Sequence, residues 1–276
     1  MPACVWTLIL SAAAASAFQE PPGQEVDFYP KEREAALGAQ FADEVRKPYT
    51  IVESAAVRGY VERIGQRLAA QLAQDDIAWT FDVIACNSAP SANPTHEPLS
   101  LPGGYVFVPS GLFLAAQDEA EFAGMVAHAI AHAARHGIRQ AADRRLVNVG
   151  SVPMVFLGGW STVCGGDPVV PVAYLGSARQ YELHADKMAT RMMAGAGFDP
   201  AGMLRYIERR QTDAAGQAAK FSPLPPREIR IAGLAQAIEA LGAGSYSASG
   251  DFSRIQEEIR RMTSRPARAP SLRQTR

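Results

Sequence analysis

Apolar residues recur at helical spacing along most of this chain. Between residues 31 and 46 they fall at Ala35, Leu37, Phe41 and Val45, and between 53 and 74 at Val57, Val61, Ile64, Leu68 and Leu72. Both runs predict amphipathic helices. Residues 79–85 (WTFDVIA) are rich in aromatic and β-branched side chains and predict a strand, as do residues 105–109 after the Pro102-Gly103-Gly104 turn. The stretch between them, 86–100, carries Pro90, Pro94 and Pro98 and reads as a polar loop. Residues 118–136 predict the next helix, with acids in its first turn, Arg135 and His136 at its end and Gly137 as a stop signal. Further helical patterns cover 139–149, 177–196, 200–211 and 226–241. Residues 151–175 are apolar but broken by Gly, Pro and Asp167, which argues against a membrane span and for a stretch that covers the protein's own core. Strands confined to one region among many helices predict an α+β fold. It should be mainly helical, with one small sheet beside the helix that carries His128.

The two ends change this picture. Residues 3–15 are small and apolar and lead to Ala15-Ser16-Ala17, a small-x-small pattern, so residues 1–17 read as a cleaved export signal despite having no Lys or Arg before the apolar run. A polar linker with Pro21, Pro22 and Gly23 follows, then a domain over 25–245. Residues 246–276 are expected to hold a C-terminal helix and a basic disordered tail. No acid follows Glu258, whereas Arg260, Arg261, Arg265, Arg268, Arg273 and Arg276 do. Such a tail is ordinarily solvated, and it suits peripheral contact with an anionic membrane. The net charge of −1 argues against nucleic acid as a partner. Cys86 and Cys164 remain after signal removal; they read as two unpaired buried thiols, with a disulfide as the alternative in an oxidising space.

Chemistry concentrates in His128-Ala129-Ile130-Ala131-His132. Histidines four apart on a helix share one face and can hold one Zn²⁺, although two packed histidines would look the same. A catalytic zinc needs a third protein ligand and an open position. His136 is one candidate, but three residues in a straight row cannot easily surround an ion. Glu182 is the better one. It shares a helical face with Asp186, four residues on, which could hold the second nitrogen of a ligand histidine. A solvated acidic face is the bland alternative.

Several further features join these. They are Glu34-Ala35-Ala36-Leu37-Gly38, Tyr60-Val61-Glu62-Arg63-Ile64-Gly65, Leu101 to Val108, Gly111-Leu112, Arg135-His136-Gly137 and Arg230. Together they resemble the zinc metallopeptidases that include HtpX, BepA and the CAAX prenyl protease (metallopeptidase family forty-eight), over about residues 32–234. No single feature is specific; jointly they are. The resemblance implies His128, His132 and Glu182 as zinc ligands, Asp186 behind them, and His136 outside the ligand set. Three departures stand out. The family's motif is His-Glu-x-x-His, whose Glu takes a proton from the attacking water and passes it to the leaving amine; this chain has Ala129. Relatives often carry Ser-Thr-His-Pro before the last helix, where this chain has Ser222-Pro223-Leu224-Pro225, so Leu224 stands at the cleft histidine position. Glu97-Pro98-Leu99 replaces Asn-Ala-Phe before the strand that pairs with substrate. His184 falls on a helix face away from Glu182 and is expected to be exposed; His96 has no clear role.

Three readings follow. The first is a degenerate peptidase of the cell envelope, periplasmic or extracellular, that binds unfolded or envelope polypeptide with little or no hydrolysis. The second is an active zinc metalloendopeptidase in which another carboxylate, such as Glu97, replaces the lost base. The third is a metal-free structural or interaction domain. The losses at Ala129 and Leu224 favour the first.

Overall fold

A computed structural model describes residues 31–72, 77–86, 95–136, 175–216 and 218–263. The export signal, the linker, the 139–149 helix, nearly all of the 151–175 stretch and the tail beyond Thr263 lie outside them. The described elements are α1 (Lys31–Arg46), β1 (Thr50–Ile51), α2 (Ala55–Ala69), β2 (Thr80–Ala85), β3 (Leu99–Leu101), β4 (Tyr105–Pro109), α3 (Ser110–Ala115), α4 (Glu119–His136), α5 (Leu175–Gly195), α6 (Ala201–Arg210), α7 (Ala218–Phe221), α8 (Arg227–Leu241) and α9 (Phe252–Thr263). The expected α+β class, mainly helical with one small sheet, is what is found.

The sheet runs in the order β1-β2-β4-β3, with β2 and β4 parallel and both outer pairings antiparallel. Its two faces are separated by the period of two along each strand. Phe81, Val83, Val106 and Val108 enter the main core, where α2, α4 and α5 contribute. Ile84, Leu101, Tyr105 and Phe107 face the other way, onto Ala42 and Val45 of α1. Strand β3 (Leu99–Leu101) begins within the stretch expected to be a polar loop and ends one residue beyond it. Only three residues pair, Leu99 to Leu101 against Phe107 to Tyr105, and the flanking Pro98 and Pro102 hide so short an alternation.

Helix α4 is the centre of the molecule: every residue from Glu121 to Ala131 is buried. Small residues let its neighbours approach. A Cβ on Gly124 would meet Met203 at 2.7 Å, and one on Gly202 would meet Ala120 at 2.6 Å, so α4 and α6 touch nearly backbone to backbone. The helix starts with a reciprocal cap, in which Glu121 N–H donates to Asp118 (2.8 Å) while the Glu121 carboxylate accepts from Gln117 N–H (2.7 Å). No helix among the described residues is long and apolar enough to cross a membrane.

Two expectations need correction. The Arg-rich stretch after Glu258 is helical at its start. Phe252, Ile255 and Ile259 form one buried face of α9, which therefore continues through Arg260 and Arg261 to Thr263. Gln256 also donates to Phe113 O and Ala116 O at the end of α3 (2.8 and 2.9 Å). Cys86 is disulfide-bonded rather than an unpaired buried thiol. It sits half-buried at the end of β2, and neither Cys4 nor Cys164 is among the described residues.

Helix α1 presses on the turn that leads into β4. A Cβ on Gly38 would lie 1.8 Å from Pro102 O, whereas one on Gly59 of α2 meets nothing within 4 Å. Gly38→Ala should therefore destabilise the fold by roughly 1–3 kcal/mol through overpacking. Gly59→Ala, at an exposed helical position, should stabilise it by about 0.5–1 kcal/mol. Denaturant midpoints check both; equal, stabilising shifts would mean that α1 does not approach the turn this closely.

Candidate metal centre

Two histidines on α4, one carboxylate from α5 and one from the loop before β3 converge. His128 Nε2 and His132 Nε2 lie 3.0 Å apart, one helical turn separating their residues. Glu182 places Oε2 3.3 Å from His128 Nε2 and Oε1 3.3 Å from His132 Nε2. Glu97 Oε1 is 3.1 Å from His128 Nε2 and 3.9 Å from His132 Nε2. One donor atom from each of the four lies within 4.8 Å of the others. Glu182 thus meets the histidine pair as the sequence leads one to expect. Glu97 joins them as a fourth donor, a position that the chain order alone does not reveal.

Behind this group lies a buried relay. Asp186 Oδ1 is 2.9 Å from His128 Nδ1, without the alignment of a hydrogen bond. The fully buried Arg230 of α8 donates to both Asp186 oxygens, at 2.8 and 2.6 Å, and to Gln211 Oε1 at 3.1 Å. Gln211 in turn donates to Pro225 O at 2.9 Å. Its part in this relay has no periodic or motif signal in the sequence. Arg179 of α5 donates to Ser222 O, and Ser222 Oγ to Leu224 O, so the segment that carries Leu224 is tied to both α5 and Arg230. Ala129 is fully buried in the core beside His128. His184 is half-buried, not exposed as expected, because α5 packs against α4, α2 and α8 and leaves little of its surface free. The side chain of His136 falls outside the described residues.

The electrostatics favour a cation between the four donors. Burial disfavours the imidazolium form of His128, yet the charge of Glu97 and the contacts with Asp186, Glu182 and Glu97 hold its pKa well above the ordinary value. Burial works against the Glu182 carboxylate too, but His132 and His128 hold its pKa well below the usual range. Asp186 is likewise held low: burial works against its charge, but the charge and hydrogen bonds of Arg230 together with His128 outweigh it. As metal ligands the imidazoles are neutral, and the carboxylates of Glu97, Glu182 and Asp186 against one guanidinium then leave two negative charges uncompensated. A divalent cation would balance them. Glu182 Oε2 is moreover buried with no hydrogen-bond partner, at a place where a metal could satisfy it. Imidazole and carboxylate donors are those zinc takes, so these residues fit that metal.

A model of peptidase family M48 matches residues 55–238, two thirds of the chain. The chain belongs to this family. It is 31% identical over 176 residues to the mitochondrial metalloendopeptidase OMA1 of Schizosaccharomyces pombe, covering 60% of this chain and 48% of that one. It is also 22% identical over 205 residues to the β-barrel assembly-enhancing protease of Escherichia coli, covering 70% and 40%. The chain thus spans less than half the length of these relatives. M48 peptidases are metal-dependent, typically on zinc, and the four donors lie within the matched region.

The Asp186–Arg230 pair is almost wholly withdrawn from water, with side-chain exposures of 3% and 0%. Arg230→Ala should leave the Asp186 charge uncompensated and destabilise the protein by about 3–5 kcal/mol. Chemical denaturation of the variant measures this; a loss below 1 kcal/mol would show that water reaches the pair.

Proposed function

We propose that this chain is a hydrolytically impaired M48 domain of the cell envelope, which holds zinc at His128, His132 and Glu182 and binds unfolded polypeptide. One observation carries the reading: the donor set is intact, while Ala129 puts a buried methyl at the position of the family's general base. When bound, zinc would polarise a peptide carbonyl and acidify water. Proton transfer is a separate task, worth about 10²–10⁴-fold in rate, and a methyl has no lone pair with which to perform it. Asp186 contributes its charge 2.9 Å from His128 Nδ1, and Arg230 keeps Asp186 ionised. Polypeptide would dock along β3, which pairs on one side only among the described residues. A free edge accepts an extended chain through backbone hydrogen bonds. An envelope location is supported by the export-signal pattern at residues 3–17 and by the disulfide at Cys86. The basic tail suits peripheral contact with an anionic membrane.

A second reading, an active metalloendopeptidase, draws support from Glu97, whose carboxylate lies 3.1 Å from His128 Nε2 and could serve as a substitute base. The two readings differ in one assay: cleavage of an unfolded casein-type substrate with and without a chelator. Under the first, the unaltered chain shows very weak or no chelator-sensitive turnover, and Ala129→Glu restores only part of it. Leu224 remains in that variant, and a missing oxyanion donor costs a further ~10²–10³-fold. Ala129→Glu with Leu224→His should therefore outperform either single change. Turnover by the unaltered chain equal to that of Ala129→Glu would favour the second reading.

A further inference from the structure

Four donors around one tetrahedral ion, at bond lengths of about 2.0–2.2 Å, stand about 3.3–3.6 Å apart. The spacings His128–His132 (3.0 Å), His128–Glu97 (3.1 Å) and His132–Glu97 (3.9 Å) scatter around that edge length, and Glu182 turns one oxygen to each histidine at 3.3 Å, Oε2 to His128 and Oε1 to His132. Glu97 is thus at ligand spacing from His128 (3.1 Å) and 3.9 Å from His132, only slightly beyond the tetrahedral edge. A base acting on water beside the ion would stand one hydrogen bond further out.

The backbone holds Glu97 there. His96 adopts φ 46°, a left-handed conformation uncommon for a residue with a side chain. Its ring packs on Gly111, where a Cβ would lie 2.5 Å from Nδ1. Its Nε2 is 3.3 Å from Arg210 Nη2. On the preceding residue, Thr95 O accepts from Tyr206 O–H at 2.8 Å. On the following one, Pro98 is buried and leads directly into β3. Two residues of α6 and one of α3 therefore clamp the bend from which the Glu97 side chain projects.

We propose that Glu97 is a fourth protein ligand that closes the centre. The assignment rests on the metal reading above and goes beyond it. Four protein donors complete a tetrahedral site of the structural type, whereas a catalytic zinc keeps one position open. Glu97 also supplies the second of the two negative charges that a divalent ion neutralises. Hydrolysis is then hindered twice, by the missing base and by a position that Glu97 must vacate before water or a peptide carbonyl can enter, so Ala129→Glu alone recovers only part of the turnover.

The test uses the full chain, stripped of metal and loaded with Co²⁺, whose visible spectrum reports coordination. The unaltered protein should give a tetrahedral cobalt spectrum that azide does not change, since no position is free. Glu97→Gln should make the spectrum azide-responsive. It should also lower zinc affinity at least about tenfold in competition with a chromophoric chelator. Glu97→Ala is measured beside it, so that poor folding of one variant does not remove the comparison. An azide-responsive unaltered protein, or variants with unchanged zinc affinity, would overturn the assignment. Chelator-sensitive cleavage that Glu97→Gln abolishes at unchanged affinity would make Glu97 a base instead. An unaltered protein that takes up neither Co²⁺ nor Zn²⁺ would overturn the metal reading itself, and the ligand assignment with it.

Discussion

Charge buried beside α4 sets the terms for the rest of this structure. Asp186 and Glu182 lie on α5 where water hardly reaches, and an ionised carboxylate there is costly unless paired. Arg230 compensates Asp186 directly, and Gln211 and Pro225 O hold the guanidinium and its neighbour in register. These bonds tie α5 to α8 and to the segment that carries Leu224. Glu182 has no such partner on Oε2 and faces two imidazoles instead. Packing a helix as small-sided as α4 on all sides brings these groups together; once together, they call for a cation.

That arrangement separates holding a metal from using one. The groups that would grip zinc come from α4, α5 and the loop before β3, and Asp186 and Arg230 brace them. The group that would move the proton belongs to position 129, where a methyl packs into the core at no cost in charge. Alanine at 129 leaves no buried charge unpaired, whereas losing a ligand would leave the remaining buried donors unmatched. In the proposed reading, this asymmetry lets a chain keep a metal-binding donor set without a general base.

Much of this was legible in the sequence because helical periodicity and a turn at Pro102 are local signals. The expected bounds of α1 and β4 match the observed ones, and α4 and α8 differ by one residue at the start. The donors His128, His132 and Glu182 and the supporting Asp186 lie at helical spacings of four and could be read as two pairs. What was not legible depends on tertiary placement. The three-residue strand β3 has too little sequence to show a period, and its prolines point to a loop. Glu97 stood out as a departure, but nothing local says that the bend at His96, clamped by Tyr206, Arg210 and Gly111, aims it at His128. The role of Gln211 likewise exists only because α6 and α8 meet.

In the proposed reading this domain retains its metal while lacking its base. Elemental analysis and a chelator-controlled cleavage assay on one metal-replete sample test it most directly, with His132→Ala beside it. The account predicts about one zinc per chain, no chelator-sensitive hydrolysis, and loss of both the zinc and part of the thermal stability in His132→Ala, since bound metal stabilises only the folded form. Protein that purifies without stoichiometric zinc, or that cuts an unfolded substrate as fast as Ala129→Glu does, would contradict it.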